Sequence, residues 1–205
     1  MNRITLQLVL TLTTVTVALL AHAVVPRSAT GSSQSSSSPR PLILQEDDGE
    51  HLVRRTGPTG GWPFTIKLDG QNGNTQDFFV FTDIMAPGQT IPFHKHDNAE
   101  EILFIEEGGA TVIVGDQRAV AGPRSIVFIP RDTWISATNT GKQDIHLLAL
   151  FSRHGYEQYM RALGVKQGEP MTPLTPDELS HLRALGHSMY WDTSKGPYPP
   201  GVAHP

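Results

Sequence analysis

Two histidines and a glutamate lie close together in segment 88–108, GQTIPFHKHDNAEEILFIEEG. His94 and His96 are two residues apart, so in an extended strand both imidazoles project from the same face. An Asp-Asn turn follows, and Glu101 then opens a second alternating run. Because the alternation of inward and outward side chains starts again after the turn, all three side chains can point to the same place. Two imidazoles and one carboxylate suit iron and other divalent transition metals, which predicts a metal site.

The elements that must position these side chains are short β-type runs separated by turn signals, between residues 42 and 152. Their period-two alternation gives each strand an inward and an outward face, as a sandwich or barrel requires. The sequence therefore predicts an all-β domain. The predicted strands are Phe64–Leu68, Asp77–Met85, Ile91–His96, Glu101–Glu106, Thr111–Val114, Arg118–Ala121, Ser125–Ile129, Trp134–Thr138 and Ile145–Phe151.

The spacing in segment 88–108 resembles the first motif of the cupin superfamily: Gly, five residues, His-x-His, four residues, Glu, six residues, Gly. The resemblance extends to single-domain type-2 cupins related to quercetin dioxygenase. It implies an antiparallel β-barrel of the jelly-roll (double-stranded β-helix) type, with a divalent metal bound by His94, His96 and Glu101. The spacing selects Glu101 over Glu100, because only Glu101 leaves six residues before Gly108.

The second half of the cupin pattern is incomplete in this chain. Pro130 and Asn139 match it, but Arg124 and Asp132 stand where glycines are usual. Ile135 stands where the family's fourth metal ligand, a histidine, is expected. Isoleucine has no donor atom, so the four-ligand site does not carry over to this chain.

Three alternatives follow for the site. His94, His96 and Glu101 hold a metal alone and leave open positions for water, substrate or dioxygen, which is a catalytic arrangement. Alternatively, His146 on the last predicted strand supplies a fourth ligand. In the third alternative the metal is weakly bound or absent, and the barrel binds an organic ligand or is structural. An inward-pointing Ile135 favours this third reading.

The function expected from these observations is metal-dependent chemistry on a small organic molecule, oxygenase-like by resemblance. The metal is iron, manganese, nickel, copper or zinc, and its identity stays open. The alternative is a non-enzymatic small-molecule-binding or structural barrel with a degenerate metal site. Fold similarity alone does not decide between these classes.

The N-terminal region predicts export. Residues 1–23 have a basic start, an apolar stretch and a small-x-small site ending at Ala23, as in a cleaved signal peptide. Residues 24–41 form a Ser/Pro-rich linker without apolar periodicity. The mature chain is expected to be periplasmic or secreted, without a stable membrane anchor. A net charge of -4 gives no basic field for nucleic acid, and the absence of cysteine excludes disulfides and thiolate sites.

The C-terminal part, residues 153–191, predicts a two-helix arm that caps one barrel end or packs against a second subunit, which makes a homodimer possible. The helices are expected over Gly155–Leu163 and from Pro176 to a stop at Gly186, the second beginning with a capping box. A loose tail follows at 192–205. The histidines around the arm are interpreted as surface residues: His154, His181 and His187.

Other side chains with possible chemistry receive structural interpretations. Arg54 and Arg55 are interpreted as a solvated face rather than an anion site, and Glu106 and Glu107 as solvated. Six aromatic residues on the strands are interpreted as core rather than pocket lining: Phe78, Phe79, Phe81, Phe104, Phe128 and Trp134.

Overall fold

The computed structural model of the chain describes residues 38–56, 61–185 and 189–191. The predicted signal peptide, nearly all of the linker, the C-terminal tail and His187 lie outside these residues. The predicted boundaries of the segments therefore stay predictions. No helix among the described residues is both long enough and apolar enough to cross a membrane.

The described residues form twelve strands and two short helices. The strands are β1 (Glu50–Arg54), β2 (Trp62–Leu68), β3 (Phe79–Met85), β4 (Thr90–His96), β5 (Glu101–Glu107), β6 (Ala110–Val114), β7 (Gln117–Ala121), β8 (Ile126–Ile129), β9 (Ile135–Thr138), β10 (Ile145–Phe151), β11 (Gly164–Lys166) and β12 (Met189–Trp191). The helices are α1 (Glu157–Leu163) and α2 (Pro176–Leu185).

The strands form two antiparallel sheets, in the orders β11-β1-β2-β3-β10-β5-β8 and β12-β4-β9-β6-β7. Side chains of both sheets, such as Phe79, Leu147, Val112 and Ala137, belong to one buried apolar cluster. The all-β prediction is confirmed. The sheets do not close into a barrel; their arrangement fits a jelly-roll sandwich.

The two turns that flank the histidine strand and the following strand need left-handed backbone. Gly88 has φ 82° and Gly108 has φ 76°, a region that glycine enters without steric cost. A Cβ at Gly108 would lie 2.6 Å from the carbonyl oxygen of Asp144. Arg124 and Asp132 also have positive φ, 64° and 58°. Glycine is usual at these two positions of the cupin pattern because the backbone there is left-handed. In this chain an arginine and an aspartate adopt that conformation instead.

Arg54 does not lie on a solvated face, so that interpretation is wrong. Its side chain is buried and its Nη1 donates to Asp83 Oδ1 at 2.7 Å. The guanidinium also lies over the rings of Trp62, Phe64 and Phe81, within 4.6–5.9 Å of their centroids. Alternating strand pattern alone does not reveal that an arginine at a strand end turns inward. Arg55 does reach solvent, and its Nε donates to the Thr172 carbonyl oxygen at 2.8 Å.

The C-terminal arm packs on the domain. Tyr159, Met160 and Leu163 of α1 are buried in the common apolar cluster. Arg161 ties α1 to the larger sheet by donating to Glu50 and Asp69.

The start of α2 carries the predicted capping box. Thr175 Oγ1 accepts from the Glu178 N–H at 3.2 Å, and Glu178 Oε2 accepts from the Thr175 N–H at 2.8 Å. Both helix predictions are confirmed, with α1 starting two residues later than expected. His154 and His181 are exposed, as predicted. The predicted strands did not include β1, nor β11 and β12, which are three residues each.

The six strand aromatics divide into three groups. Phe79 and Phe81 are core, and Phe104 and Trp134 are half-buried. Phe78 and Phe128 are 46% and 53% exposed, so the core interpretation is wrong for these two.

Candidate metal centre

Three side chains from two different sheets meet at the turn between β4 and β5. His94 and His96 end one strand of the smaller sheet, and Glu101 begins a strand of the larger sheet. One ligand atom from each lies within 4.8 Å of the other two. All three side chains are buried, at 3%, 5% and 5% exposure respectively. The predicted convergence of these residues is therefore present.

Hydrogen bonding orients the first histidine. The Nδ1 of His94 lies 2.8 Å from the carbonyl oxygen of Pro92. A carbonyl accepts only, so Nδ1 carries the proton and Nε2 carries the lone pair. This second contact is the usual way in which a metal-binding histidine is held in one tautomer. The ring of His96 stands edge-on to that of His94, with 5.2 Å between centroids.

The other two side chains carry buried atoms without a hydrogen-bond partner. His96 Nε2 and Glu101 Oε2 are both inaccessible to solvent and unpaired among the described residues. Such atoms are costly unless a ligand satisfies them. A divalent cation accepts an imidazole lone pair and a carboxylate oxygen at once, so the donor set fits a transition metal.

Burial sets the protonation of the three groups in the metal-free chain. It lowers the pKa of His94 to about 4, and it lowers that of His96, together with the neighbouring His94, to about 3. It raises the pKa of Glu101 to about 8. Near neutral pH the imidazoles are therefore neutral, as metal binding requires, whereas the carboxyl must lose a proton to become a ligand.

Ile135 lies beside the cluster. In the β4–β9 ladder it is the direct partner of His94, so the two side chains point to the same face of the sheet. It is 1% exposed. The position where a fourth ligand is expected is thus occupied by an inward-pointing alkyl group.

His146 does not take that place. It is half-buried on the opposite face of β10 from Ile145 and Leu147. It lies five residues from Phe151, the β10 residue that contacts His96. Within the described residues, His94, His96 and Glu101 form the one group of three or more ligand-type side chains close enough to hold a metal.

An aromatic wall borders the cluster. Phe151 and Tyr156 each place a ring 5.1 Å from His96 in an edge-on arrangement. Phe79 packs against both rings, tilted to Phe151 at 5.9 Å and edge-on to Tyr156 at 6.0 Å between centroids. Burial raises the pKa of Tyr156 well above its usual range, which keeps the phenol neutral. The sequence did not identify Phe151 and Tyr156 as neighbours of the site, because they follow Glu101 by about fifty residues.

The glutamates near the site have the predicted environments. Glu100, Glu106 and Glu107 are exposed, so none of them competes with Glu101.

Asn139, which matches the family pattern, is buried and donates from Nδ2 to the carbonyl oxygens of Met85 and Gln143 at 2.7 Å and 2.8 Å. Its role is to hold a turn.

Comparison with known proteins agrees with the resemblance in the sequence. The family model described as "Cupin domain" matches residues 81–151, a range that contains all three side chains of the cluster. Among curated proteins, none matches the chain.

Three solved structures illustrate the similarity of fold. KdgF from Halomonas sp. is 18% identical, with a TM-score of 0.47 over 59% of this chain and 99% of that one. A predicted oxalate decarboxylase from Thermotoga maritima is 16% identical, with a TM-score of 0.48 over 56% and 100%. The Cnp3 cupin domain of Schizosaccharomyces pombe is 18% identical, with a TM-score of 0.41 over 51% and 73%. These values are too low to indicate a reaction or a substrate.

Proposed function

We propose that the chain binds a divalent transition metal through His94, His96 and Glu101 and acts on a small organic molecule; the match of residues 81–151 to the cupin-domain family supports this. One observation supports this most directly: His96 Nε2 and Glu101 Oε2 are buried without a hydrogen-bond partner, in two side chains of a cluster whose ligand atoms lie within 4.8 Å of one another. The metal can be iron, manganese, nickel, copper or zinc, since all accept imidazole and carboxylate ligands.

The residues around the centre have separate tasks in this proposal. His94 is oriented by Pro92, and Glu101 compensates part of the metal's charge. When bound, the metal supplies Lewis acidity and positions for substrate or dioxygen. Phe151 and Tyr156 exclude water from one side of His96. Ile135 gives the centre an apolar side, so a bound molecule meets both polar and alkyl surface.

A second candidate function has its own observation. The buried Ile135 beside His94 removes one expected ligand, which favours a domain that binds an organic molecule without catalysis, or a structural domain. We also propose that the chain is exported. The features of residues 1–23 support this.

The experiment that tests the proposal is elemental analysis of the purified protein, expressed without a polyhistidine tag. We expect about one metal ion per chain, as for other sites with three protein ligands. Two variants, Glu101→Gln and the double variant His94→Ala/His96→Ala, should retain less than about a tenth of it.

The mature N-terminus can be read from the same sample by mass spectrometry, and Val24 is expected if the signal peptide is cleaved.

Two matched variants serve as controls. Glu100→Gln removes the exposed carboxylate next to Glu101, and His146→Ala removes a histidine distant from the cluster. Both should keep the metal content of the unaltered chain. If the unaltered chain binds none of these metals after reconstitution, the metal-binding proposal is wrong and the non-catalytic candidate replaces it.

A further inference from the structure

Tyr156 brings a hydroxyl group to the candidate metal centre from a distant part of the chain. Its ring lies edge-on to that of His96, with 5.1 Å between centroids, and packs against Phe151 at 4.9 Å. The residue stands where the C-terminal arm begins, immediately before α1. The arm therefore adds a polar group beside a centre whose three ligand side chains come from β4 and β5.

Helix formation does not account for a tyrosine at this position. Tyr156 is the N-cap residue of α1, yet its side chain makes no capping hydrogen bond. Serine, threonine, aspartate and asparagine are the residues preferred there, because their side chains do make that bond. The turn before the helix is stabilised instead by Glu157, whose Oε2 accepts from the Gly155 N–H. Another contact must explain the phenol.

The Tyr156 hydroxyl is a donor that the described part of the chain does not pair. Desolvation raises the pKa of the phenol well above its usual range, and no hydrogen bond within the described residues opposes that shift. A neutral phenol keeps one donor proton, and a donor that the protein encloses is normally paired. The residue is half-buried, so part of it stays accessible. Its acceptor therefore has to come from outside the described chain.

The charges that act on the phenol show that it faces the interior of the domain. Desolvation is the largest cause of its raised pKa, and the charges of Arg54, Glu101 and Asp83 also act on it. Such interactions fall off with distance, so the phenol lies near both the metal centre and the buried ion pair. Arg54 is already engaged by Asp83 at 2.7 Å. The neutral hydroxyl is therefore the donor that stays available to a bound molecule.

The ligand set of the centre indicates which molecule fits this donor. Two neutral imidazoles and one carboxylate leave a divalent ion with one net positive charge, which an anionic oxygen ligand cancels. A hydrogen bond from a hydroxyl to an ionised oxygen is roughly twice as strong as one between neutral groups. A neutral nitrogen ligand such as imidazole has no acceptor left once it is coordinated. The hydroxyl therefore discriminates between these two classes of ligand.

We propose that the Tyr156 hydroxyl donates a hydrogen bond to an anionic oxygen of the substrate at the metal centre, so that the chain selects molecules that bind through a carboxylate or enolate oxygen. This inference rests on the proposed function, because it needs a metal held by His94, His96 and Glu101. It assigns two tasks to one side chain: the ring packs against His96, and the hydroxyl binds the substrate. The C-terminal arm is thereby part of the binding site.

The test compares two probe ligands, acetate and imidazole, on the cobalt(II)-loaded protein, with the visible absorption of the cobalt as the readout. The variant Tyr156→Phe keeps the ring and removes only the hydroxyl. Its dissociation constant for acetate should rise about tenfold, the size of one hydrogen bond to a charged group. Its dissociation constant for imidazole should change by less than about twofold. Cobalt content and circular dichroism verify that the variant is loaded and folded.

The matched control is Tyr159→Phe, which removes a hydroxyl from the ring stacked on Tyr156 at 5.4 Å. It should leave both dissociation constants unchanged. Unchanged acetate affinity in loaded Tyr156→Phe would overturn the inference and leave the metal site standing. Equal weakening of acetate and imidazole, or equal weakening of acetate in both variants, would also overturn it, because either result indicates a loss of packing. An unaltered chain that binds no cobalt would contradict the proposed function and, with it, this inference.

Discussion

Ile135 is the residue that most distinguishes this centre from a four-ligand cupin site. It sits in register with His94 and points to the same side, so the fold keeps the position of the fourth ligand while the chemistry changes. An alkyl group there leaves a bound metal with one protein ligand fewer. The change favours exchange of external ligands at the metal, and it also reduces the metal's affinity.

The variant Ile135→His should restore the missing ligand. We expect it to bind metal at least about tenfold more tightly, within the range by which changes around metal ligands alter affinity. In the metal-free state the same variant should be less stable by about 1–3 kcal/mol, because it buries a polar ring without a partner. Competition with a chromophoric chelator measures the affinity.

The control for this substitution is Ile135→Leu, which keeps the volume and adds no donor atom. Its metal affinity should equal that of the unaltered chain. An Ile135→His variant with unchanged affinity would mean that position 135 does not reach the metal.

At the level of elements, buried polar contacts join strands that are not neighbours. Arg54 at the end of β1 crosses β2 to reach Asp83 of β3. The guanidinium lies among three aromatic rings. Desolvation raises the pKa of Asp83, although the adjacent Arg54 opposes the shift. The pair therefore ties β1 to β3 across β2 within the larger sheet.

Removing one partner of this pair should be costly. We expect Arg54→Met to lower the free energy of unfolding by about 3–5 kcal/mol, because Asp83 is left buried without its counter-charge. Protonation of Asp83 limits the loss, so the effect should shrink at low pH. Urea unfolding followed by fluorescence provides the measurement.

The double variant Arg54→Met/Asp83→Leu should recover much of that stability, since replacing a whole buried pair by apolar groups is often near neutral. The neighbouring Arg55→Met serves as the matched control. Arg55 reaches solvent, so its loss should cost less than about 1 kcal/mol. A similar loss in both single variants would contradict the special role of Arg54.

At the level of the whole molecule, the centre makes the stability of the metal-free chain depend on pH. The folded-state pKa values of His94 and His96 are lowered to about 4 and 3, so stability is lost as the pH falls below 6.5. The folded-state pKa of Glu101 is raised to about 8, so stability is also lost as the pH rises from 4.5 to 8. With two histidines opposing one glutamate, the maximum should lie at about pH 6.5.

Urea unfolding in the presence of a chelator, repeated across this pH range, measures the profile. The Glu101→Gln variant should lose the decline on the alkaline side and keep the decline on the acid side. Two identical profiles would show that Glu101 is already ionised in the folded chain.

Sequence reasoning succeeds here where the determinants are local. The convergence of His94, His96 and Glu101 follows from two strands and one turn. The capping box of α2 likewise follows from four consecutive residues, and both are present. The alternation of strands also indicated the two-sided sheets correctly.

The sequence could not indicate contacts that depend on topology. Tyr156 and Phe151 reach His96 only because α1 and β10 are brought to the same end of the domain. Alternation does not tell whether an outward strand face meets solvent or a partner, so the exposure of Phe78 and Phe128 was not foreseen. Both the neighbours of His96 and the exposure of these phenylalanines depend on how strands that are distant in sequence pair, and the local sequence pattern does not give that pairing.

The last described strand also bears on the centre. In the β12–β4 ladder, Trp191 pairs with His94 and Met189 with His96. The backbone that carries both histidines is therefore held by the C-terminal end of the arm as well as by β9. Metal binding would hold the two imidazoles in place, and docking of the arm holds the backbone that carries them. Because both act on this one strand, each should favour the other. A protease that attacks the C-terminal end would then act as a reporter of the centre, cleaving slowly when the centre is filled and faster when it is empty.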